Sequence, residues 1–264
     1  MTLDRLGAAF AAARASGRPA LVCYLMGDGR PQTFDTAAAV LAECDVLELG
    51  IPFSDPVADG PTIEQAAVEA LARGTRVDDV LDLASRLHAA HPDKPLVLMT
   101  YYNLVFKRGL DTFARQAFDA GVSGVILPDV PLEESAPAAA SLDAVGLGLV
   151  QLASPASPNE RMNGLAKATR GFLYVVSSFG TTGAREGLPD EALETIRRAR
   201  AATPSGVPCA VGFGVSTPEH VRALHAAGAD GVIVGSAIVK RMLSGESAAD
   251  VAAFVRSLRP EPRV

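Results

Sequence analysis

Short apolar runs alternate with alanine-rich amphipathic segments along the whole chain. The apolar runs are continuous, which is typical of parallel strands that are buried on both faces. Eight of these runs are predicted to form strands: Ala20–Met26, Val46–Gly50, Leu96–Tyr101, Gly124–Leu127, Leu147–Leu152, Phe172–Val176, Val207–Phe213 and Gly231–Val234.

Segments with helical periodicity lie between the strands. Eight helices are predicted in this way: Thr33–Glu43, Val77–His91, Leu110–Ala120, Leu132–Ala144, Asn159–Ala168, Asp190–Ala202, Thr217–Ala227 and Ala248–Leu258. Two further helices are expected, one at the N-terminus over about Leu3 to Ala15 and one over Thr62–Ala72. Gly121, Gly146 and Gly228 follow helical segments, where a left-handed C-terminal cap favours glycine.

Eight strand–helix units in a chain of this length are typical of a (β/α)8 TIM barrel. We therefore expect one barrel domain over residues 1–264, with the N-terminal helix as an addition. A doubly wound sheet is the alternative, although it usually contains fewer strands. The loops that follow the strands of a barrel carry its active site, and the residues of that site must decide the function.

Composition narrows the class of protein further. The net charge of −6 argues against a broad nucleic-acid or anionic-membrane surface, and 48% hydrophobic residues suffice for a large core. Cys23, Cys44 and Cys209 lie far apart, which favours reduced thiols in a cytoplasmic protein over a disulfide framework. We expect neither a signal peptide nor a membrane span, because the N-terminus and the apolar runs lack those patterns.

Three carboxylates stand out around the second predicted strand. Glu48 lies inside an apolar run, where a charge is costly unless it is paired or used for proton transfer. An arginine partner would make Glu48 merely structural. Asp55 and Asp59 follow in a loop rich in glycine and proline, where an aspartate is more often a turn former or helix cap.

Phosphate-binding signals lie in the last third of the chain. Glycine-containing loops follow the sixth, seventh and eighth predicted strands, at Ser177–Gly183, Gly212–Ser216 and Gly235–Ala237. A short apolar segment, Ala237–Val239, could form one helical turn after the last strand. Barrels often bind phosphate at this position, through backbone N–H groups of a short helix. Each glycine alone would indicate only a turn.

Other chemistries lack the residues that they need. None of the four lysines falls inside a predicted strand, which disfavours a Schiff-base aldolase. The four histidines lie on or beside predicted helices, away from the carboxyl ends of the strands, so a transition-metal site is not expected. Carbon–carbon or isomerisation chemistry would therefore depend on carboxylates.

The segment Leu47–Thr62, with the sequence LELGIPFSDPVADGPT, closely resembles the signature of the tryptophan synthase α-subunit family. The resemblance extends from about Ala20 to Met242. Further matching segments are Met99–Asn103, Pro128–Ser135, Gly180–Gly183, Gly212–Gly214 and Gly235–Lys240. The long signature is highly specific, whereas the glycine motifs alone are not.

This resemblance implies a barrel that cleaves indole-3-glycerol phosphate to indole and glyceraldehyde 3-phosphate without a cofactor or a metal. It assigns the catalytic carboxylates to Glu48 and Asp59. The implied substrate-binding residues are Tyr101, Leu127, Tyr174, Thr182, Phe213 and Ile233. The implied phosphate-binding residues are Gly183, Gly214, Gly235 and Ser236.

The resemblance also implies a partner, the β subunit of an α2β2 heterotetramer, and no nucleic acid or membrane. The family positions at or near that contact match Pro52, Asp55, Pro56, Asn103 and Pro131.

The loop after the first strand, Tyr24–Pro31, departs from the family pattern and leaves loop closure and partner coupling open. Alternatives are a stand-alone indole-releasing lyase, another phosphate-binding barrel such as a sugar-phosphate isomerase, and a non-catalytic barrel that binds indole-like ligands.

Overall fold

The strands of the computed structural model form one parallel sheet. The structure describes residues 2–176, 190–204, 206–212 and 214–259, with the side chains of residues 2, 3, 190 and 191 left out. Its strands, β1 to β9 in chain order, are Ala20–Met26, Val46–Gly50, Leu96–Met99, Gly124–Ile126, Gly148–Val150, Leu152–Ala153, Leu173–Val176, Cys209–Gly212 and Gly231–Val234.

The sheet closes on itself as a barrel. Its strand order is β5-β4-β3-β2-β1-β9-β8-β7-β6, so the two outermost strands are consecutive in the chain and separated only by Gln151. Gln151 accepts a hydrogen bond from the Tyr174 N–H at 3.0 Å, but its own N–H donates to Thr169 Oγ1. The predicted fifth strand is therefore divided in two, and the predicted (β/α)8 barrel is confirmed.

Twelve α-helices occur among the described residues. These helices, α1 to α12, are Thr2–Ala15, Pro31–Glu43, Pro61–Ala72, Val77–Ala90, Tyr102–Arg108, Leu110–Asp119, Ala136–Val145, Asn159–Ala168, Asp190–Ala202, Pro218–Ala226, Ser236–Leu243 and Ala248–Ser257. Within the described part of the chain, no helix has the length and apolar character that crossing a membrane requires.

Three helical features differ from the prediction. Helix α5 was not predicted; its first N–H, from Tyr102, donates to the carboxylate of Asp129, a partner 27 residues away. Helix α11 is longer than the single turn expected there. The segment predicted as one helix from Leu132 begins with a separate 3-10 turn, Leu132–Glu134.

The predicted glycine caps are present. Gly121, Gly146 and Gly228 have φ angles of 78°, 81° and 102°, in the left-handed region that glycine adopts without a Cβ clash.

Strand alternation sorts the side chains into two layers. On β2, Leu47 and Leu49 pack in the outer cluster between strands and helices, whereas Val46 belongs to a cluster inside the barrel. Because successive side chains point to opposite faces, Glu48 shares the inner side with Val46.

The amino-terminal end of the barrel is closed by α1. Leu6 and Phe10 of this helix are buried in the inner cluster, and the Phe10 ring lies 5.4 Å from that of Phe172. Gly231 makes room for Phe10, since a Cβ at this glycine would lie 2.7 Å from the ring. Apolar side chains thus fill the barrel at the amino-terminal ends of the strands, and the carboxyl-terminal ends remain open for a site.

Candidate active site

Glu48 is a buried carboxylate without a partner among the described residues. Its side chain is inaccessible to solvent, and neither carboxylate oxygen has a hydrogen-bond partner there. Burial, together with the nearby charge of Asp59, raises the pKa of Glu48 to about 8. The described structure contains no arginine partner for it, so the structural alternative lacks support.

Asp59 lies in the loop between β2 and α3, and Tyr101 holds this loop. The Ala58 N–H donates to the Tyr101 hydroxyl at 3.2 Å, and the Phe53 and Tyr101 rings stack with centroids 5.0 Å apart. Burial raises the pKa of Asp59 to about 6, although a hydrogen bond with Tyr101 opposes the rise and the charge of Glu64 adds to it. Tyr101 therefore positions the Asp59 loop.

The two carboxylates thus lie close enough to interact, and their surroundings give them different pKa values. At pH 7, a group with a pKa of about 8 is mostly protonated and one with a pKa of about 6 is mostly ionised. Neighbouring carboxyl groups with separated pKa values can divide the acid and charge-stabilising roles of one reaction.

Two inward tyrosines complete the polar part of the site. Tyr174 on β7 is partly buried, and the pKa of its hydroxyl is raised by burial and by the charges of Glu48 and Asp59. Tyr24 on β1 is the register partner of Glu48. Tyr24 was not among the predicted site residues; the period of two along β1 gives it the same side as Val22, which lies inside the barrel.

The apolar wall differs from the prediction at one position. Ile233 belongs to the cluster inside the barrel, as expected for a residue that lines a central pocket. Leu127 does not, because it packs in the outer cluster beside Val105, Phe113 and Leu142. The preceding residue, Ile126, has the inward position instead. A shift of one residue along a strand changes the face, which motif matching alone does not register.

The predicted phosphate end is described only in part. Gly235 precedes α11, whose first residue is Ser236, directly after β9. Gly214 is exposed and has a φ angle of 64°. Thr182, Gly183 and Phe213 lie outside the described residues. Helix α11 therefore provides the described N–H groups that could receive an anion.

The predicted partner-contact residues differ in exposure. Asp55, Asn103 and Pro131 are exposed, Pro56 is half-buried and Pro52 is buried within the chain. The Asp55 carboxylate accepts a hydrogen bond from Ser54 Oγ at 2.5 Å, so this contact stabilises the conformation of the loop. Val57 and Phe106 add exposed apolar area in the same two segments, with 71% and 65% of their surface accessible.

Comparisons with known proteins agree with this geometry. The family model for the tryptophan synthase alpha chain matches residues 10–259. The tryptophan synthase alpha chain of Picosynechococcus sp. is 44% identical over 256 residues, covering 95% of this chain and 96% of the relative. That of Geobacter sulfurreducens is 43% identical over 264 residues, covering 97% and 98%.

Solved structures give the same result. A structure of Mycobacterium tuberculosis tryptophan synthase matches with a TM-score of 0.87 at 36% identity, covering 96% of each chain. A chain of the tryptophan synthase complex from Pyrococcus furiosus matches with a TM-score of 0.84 at 34% identity, covering 91% of this chain and 98% of the other.

The fold and the matching relatives together define a (β/α)8-barrel lyase, and Glu48 and Asp59 are its candidate catalytic carboxylates. The chain belongs to the tryptophan synthase alpha chain family, and with it to the enzymes of tryptophan biosynthesis.

Proposed function

We propose that this chain cleaves indole-3-glycerol phosphate by a retro-aldol reaction, with Glu48 as the proton carrier and Asp59 as the charge stabiliser. The observation that carries the proposal is the separation of the two carboxyl pKa values, about 8 and about 6, on opposite sides of neutral pH. A protonated acid and an ionised neighbour are what this reaction needs at once.

Glu48 begins the reaction as the neutral acid. It donates its proton to C3 of the indole ring, which turns the ring into an indolenine-like cation. The resulting carboxylate then removes the proton of the hydroxyl on the carbon bound to C3. The oxygen lone pair forms the aldehyde, the C3–carbon bond breaks, and its electrons restore the neutral indole. Glu48 ends the reaction protonated, because it takes one proton from the hydroxyl for the one that it gave to C3.

Asp59 acts on the other side of the ring. Its ionised carboxylate accepts a hydrogen bond from the indole N–H, which becomes more acidic as the ring gains positive charge. An anion held in a partly buried site stabilises that charge more strongly than water would. The hydroxyl of Tyr101 supports this role because it holds the loop that carries Asp59.

The remaining contacts follow from the same substrate. Ile126 and Ile233 would face the indole ring from inside the barrel, and Tyr174 would lie beside Glu48. The N-terminus of α11, with Gly235 and Ser236, would bind the phosphate through backbone N–H groups. Gly183 and Gly214 remain proposed phosphate contacts, and Thr182 and Phe213 remain proposed substrate contacts.

A β subunit is the proposed partner, and an α2β2 heterotetramer the proposed assembly. The support is that one matching solved structure, from Pyrococcus furiosus, is a tryptophan synthase α2β2 complex. The exposed side chains of Asp55, Val57, Asn103, Phe106 and Pro131 provide the proposed contact surface. We also propose a cytoplasmic location, which suits the three free, buried cysteines.

The test is an indole-release assay on indole-3-glycerol phosphate, with and without a β subunit. We expect release that the β subunit stimulates, and a loss of at least a hundredfold, about 2.7 kcal/mol, in Glu48→Gln with substrate binding retained. Fast release by the isolated chain would instead indicate a stand-alone lyase. Residual activity of Glu48→Gln within tenfold of the parent would contradict its assignment, and no turnover at all would favour a binding protein.

A further inference from the structure

Tyr24 holds a buried hydroxyl that neither the fold nor the roles assigned above use. The residue is 6% exposed, and among the described residues its hydroxyl donates only to Met26 Sδ, at 4.0 Å. A thioether sulfur is a weak acceptor, so the hydroxyl is close to unsatisfied. A buried hydroxyl without a strong partner costs free energy, which points to a group that binds there.

The hydroxyl lies on the mouth side of Glu48. Tyr24 and Glu48 are opposite each other in the β1–β2 register, but the Tyr24 hydroxyl reaches Gly50, two residues further along β2. A Cβ at Gly50 would lie only 2.1 Å from Tyr24 Oη, so only glycine leaves room for it. Two residues of strand correspond to about 6.6 Å, which places the hydroxyl beyond the Glu48 backbone toward the open end.

The other end of the same side chain lies beside the proposed phosphate site. A Cβ at Gly235 would lie 3.5 Å from Tyr24 Cβ and 3.6 Å from its Cδ1. The Tyr24 side chain therefore runs from the start of α11 to the strand of Glu48. A substrate with its phosphate at α11 and its indole ring at Glu48 would extend its glycerol chain along this tyrosine.

The ring of Tyr24 has apolar surroundings, whereas its hydroxyl lies near charged groups of the site. Its ring packs in a cluster with Met26, Ile63 and Val239. Burial, followed by the charges of Asp59 and Glu48, raises the pKa of the Tyr24 hydroxyl well above its usual range. The hydroxyl therefore stays protonated and can act as a neutral donor.

We propose that the Tyr24 hydroxyl binds the middle hydroxyl of the substrate's glycerol chain and so makes Tyr24 a specificity-determining residue. The inference rests on the proposed function, since it takes indole-3-glycerol phosphate as the substrate. Glu48 already serves the hydroxyl on the carbon bound to the ring, which leaves the middle hydroxyl for Tyr24. An enzyme group that pairs with a substrate hydroxyl discriminates against analogues that lack it.

The experiment compares two substrates on two enzymes. One substrate is indole-3-glycerol phosphate, and the other lacks only the middle hydroxyl of the glycerol chain. The parent chain and Tyr24→Phe are assayed for indole release with the β subunit in excess. Tyr102→Phe is the matched control, because it removes a tyrosine hydroxyl from the ring that lies beside Phe106 outside the barrel interior.

We expect Tyr24→Phe to lower kcat/KM about tenfold for the complete substrate and less than twofold for the deoxy analogue, while Tyr102→Phe changes neither. Equal losses on both substrates would overturn the proposal and indicate that Tyr24 acts on Glu48 or on packing. No loss on either would also overturn it. If the parent chain turns over the substrate in either case, the proposed lyase function still stands. If the parent chain shows no turnover, both the lyase function and the role of Tyr24 are contradicted.

A binding measurement separates a folding defect from a lost contact. In the Glu48→Gln background, which should bind without turnover, Tyr24→Phe is expected to weaken the binding of indole-3-glycerol phosphate about tenfold. Its affinity for indole-3-propyl phosphate, which lacks both glycerol hydroxyls, should not change. A parallel loss of affinity for both compounds would contradict the assignment.

Discussion

Individual residues of this chain owe their chemistry to where burial places them. Glu48 and Asp59 are both ordinary carboxylic acids, yet the site raises their pKa values to about 8 and about 6. Desolvation is the largest cause for both, and Glu48 is the more deeply buried. In the proposed reaction, the order of the two pKa values makes Glu48 the proton donor and Asp59 the charge stabiliser.

The pH dependence of activity follows from these two values. We expect kcat/KM to be highest between about pH 6 and pH 8, rising as Asp59 ionises and falling as Glu48 loses its proton. Asp59→Asn should lower activity strongly, because a neutral amide does not stabilise the cationic ring, and should remove the rise on the acid side. The measurement is a pH profile of parent and variant.

An acid limb that persists in Asp59→Asn would contradict this assignment. It would belong to another group, such as the phosphate of the substrate, which titrates near pH 6.

The buried Glu48 should make the folded state less stable as the pH rises. Its pKa is about 8 in the folded chain and near 4.5 in the unfolded one, so its contribution to the free energy of unfolding is most favourable below about pH 4.5. That contribution is lost as the pH rises toward 8, and the loss amounts to several kcal/mol at most. Glu48→Gln should escape this loss, which urea unfolding at pH 5 and pH 8 would measure.

The comparison between the two pH values serves as the control for this prediction. A gain in unfolding free energy of Glu48→Gln over the parent that is larger at pH 8 supports the account. Curves that stay parallel would show that the carboxylate is not desolvated as described.

Elements of the barrel set the two ends of the site. Helix α11 starts directly after β9, so its first N–H groups face the mouth where the strands end. Gly235→Asp would bring a carboxylate to the helix start, where it would repel a bound phosphate. We expect glycerol phosphate to bind at least tenfold more weakly, measured by calorimetry. Gly235→Asn, which adds similar volume without the charge, is the matched control.

If Gly235→Asp and Gly235→Asn bind glycerol phosphate alike, charge at this position is not what governs binding. If neither differs from the parent, the anion binds elsewhere.

Helix α1 closes the opposite end of the barrel. Phe10 is 3% exposed and packs on Phe172, so Phe10→Ala would leave a cavity inside the barrel. We expect it to lower the unfolding free energy by about 3–5 kcal/mol, measured by denaturant unfolding. Phe118→Ala, at a site with 40% exposure on α6, should change it by less than about 0.5 kcal/mol. Similar losses for both variants would refute a closing role for α1.

At the scale of the whole molecule, the Asp59 loop connects the site with the proposed partner surface. The same loop carries Asp59 and the exposed Val57, and Tyr101, which holds it, directly precedes α5 with the exposed Phe106. A partner that contacts Val57 and Phe106 would therefore touch the loop that carries Asp59 and the helix that follows Tyr101. We expect partner binding to act on Asp59 through this route.

Phe106→Asp tests that connection. It should reduce the stimulation of indole release by a β subunit at least tenfold, since a charge would enter an apolar contact. The activity of the isolated chain should stay unchanged. Phe118→Asp, which places the same charge at another exposed phenylalanine, should keep the stimulation. Equal behaviour of the two variants would remove Phe106 from the contact.

The sequence determined the features that depend on neighbours along the chain. Strands Ala20–Met26, Val46–Gly50 and Gly231–Val234 have the predicted bounds because apolar runs and breakers are local signals. Glu48 could be singled out for the same reason, since a carboxylate in an apolar run needs no structure to be recognised. The signature around it was specific enough to predict the family.

Only the tertiary structure decided what depends on neighbours across space. It divided the fifth strand at Gln151, put Ile126 rather than Leu127 inside the barrel, and formed α5 with the help of Asp129. It also brought the Tyr24 hydroxyl over Gly50, two residues beyond Glu48 on β2. The physical reason is that the direction of a side chain, the capping of a helix and the burial of a charge depend on contacts between residues far apart in the chain. No local sequence pattern contains these contacts.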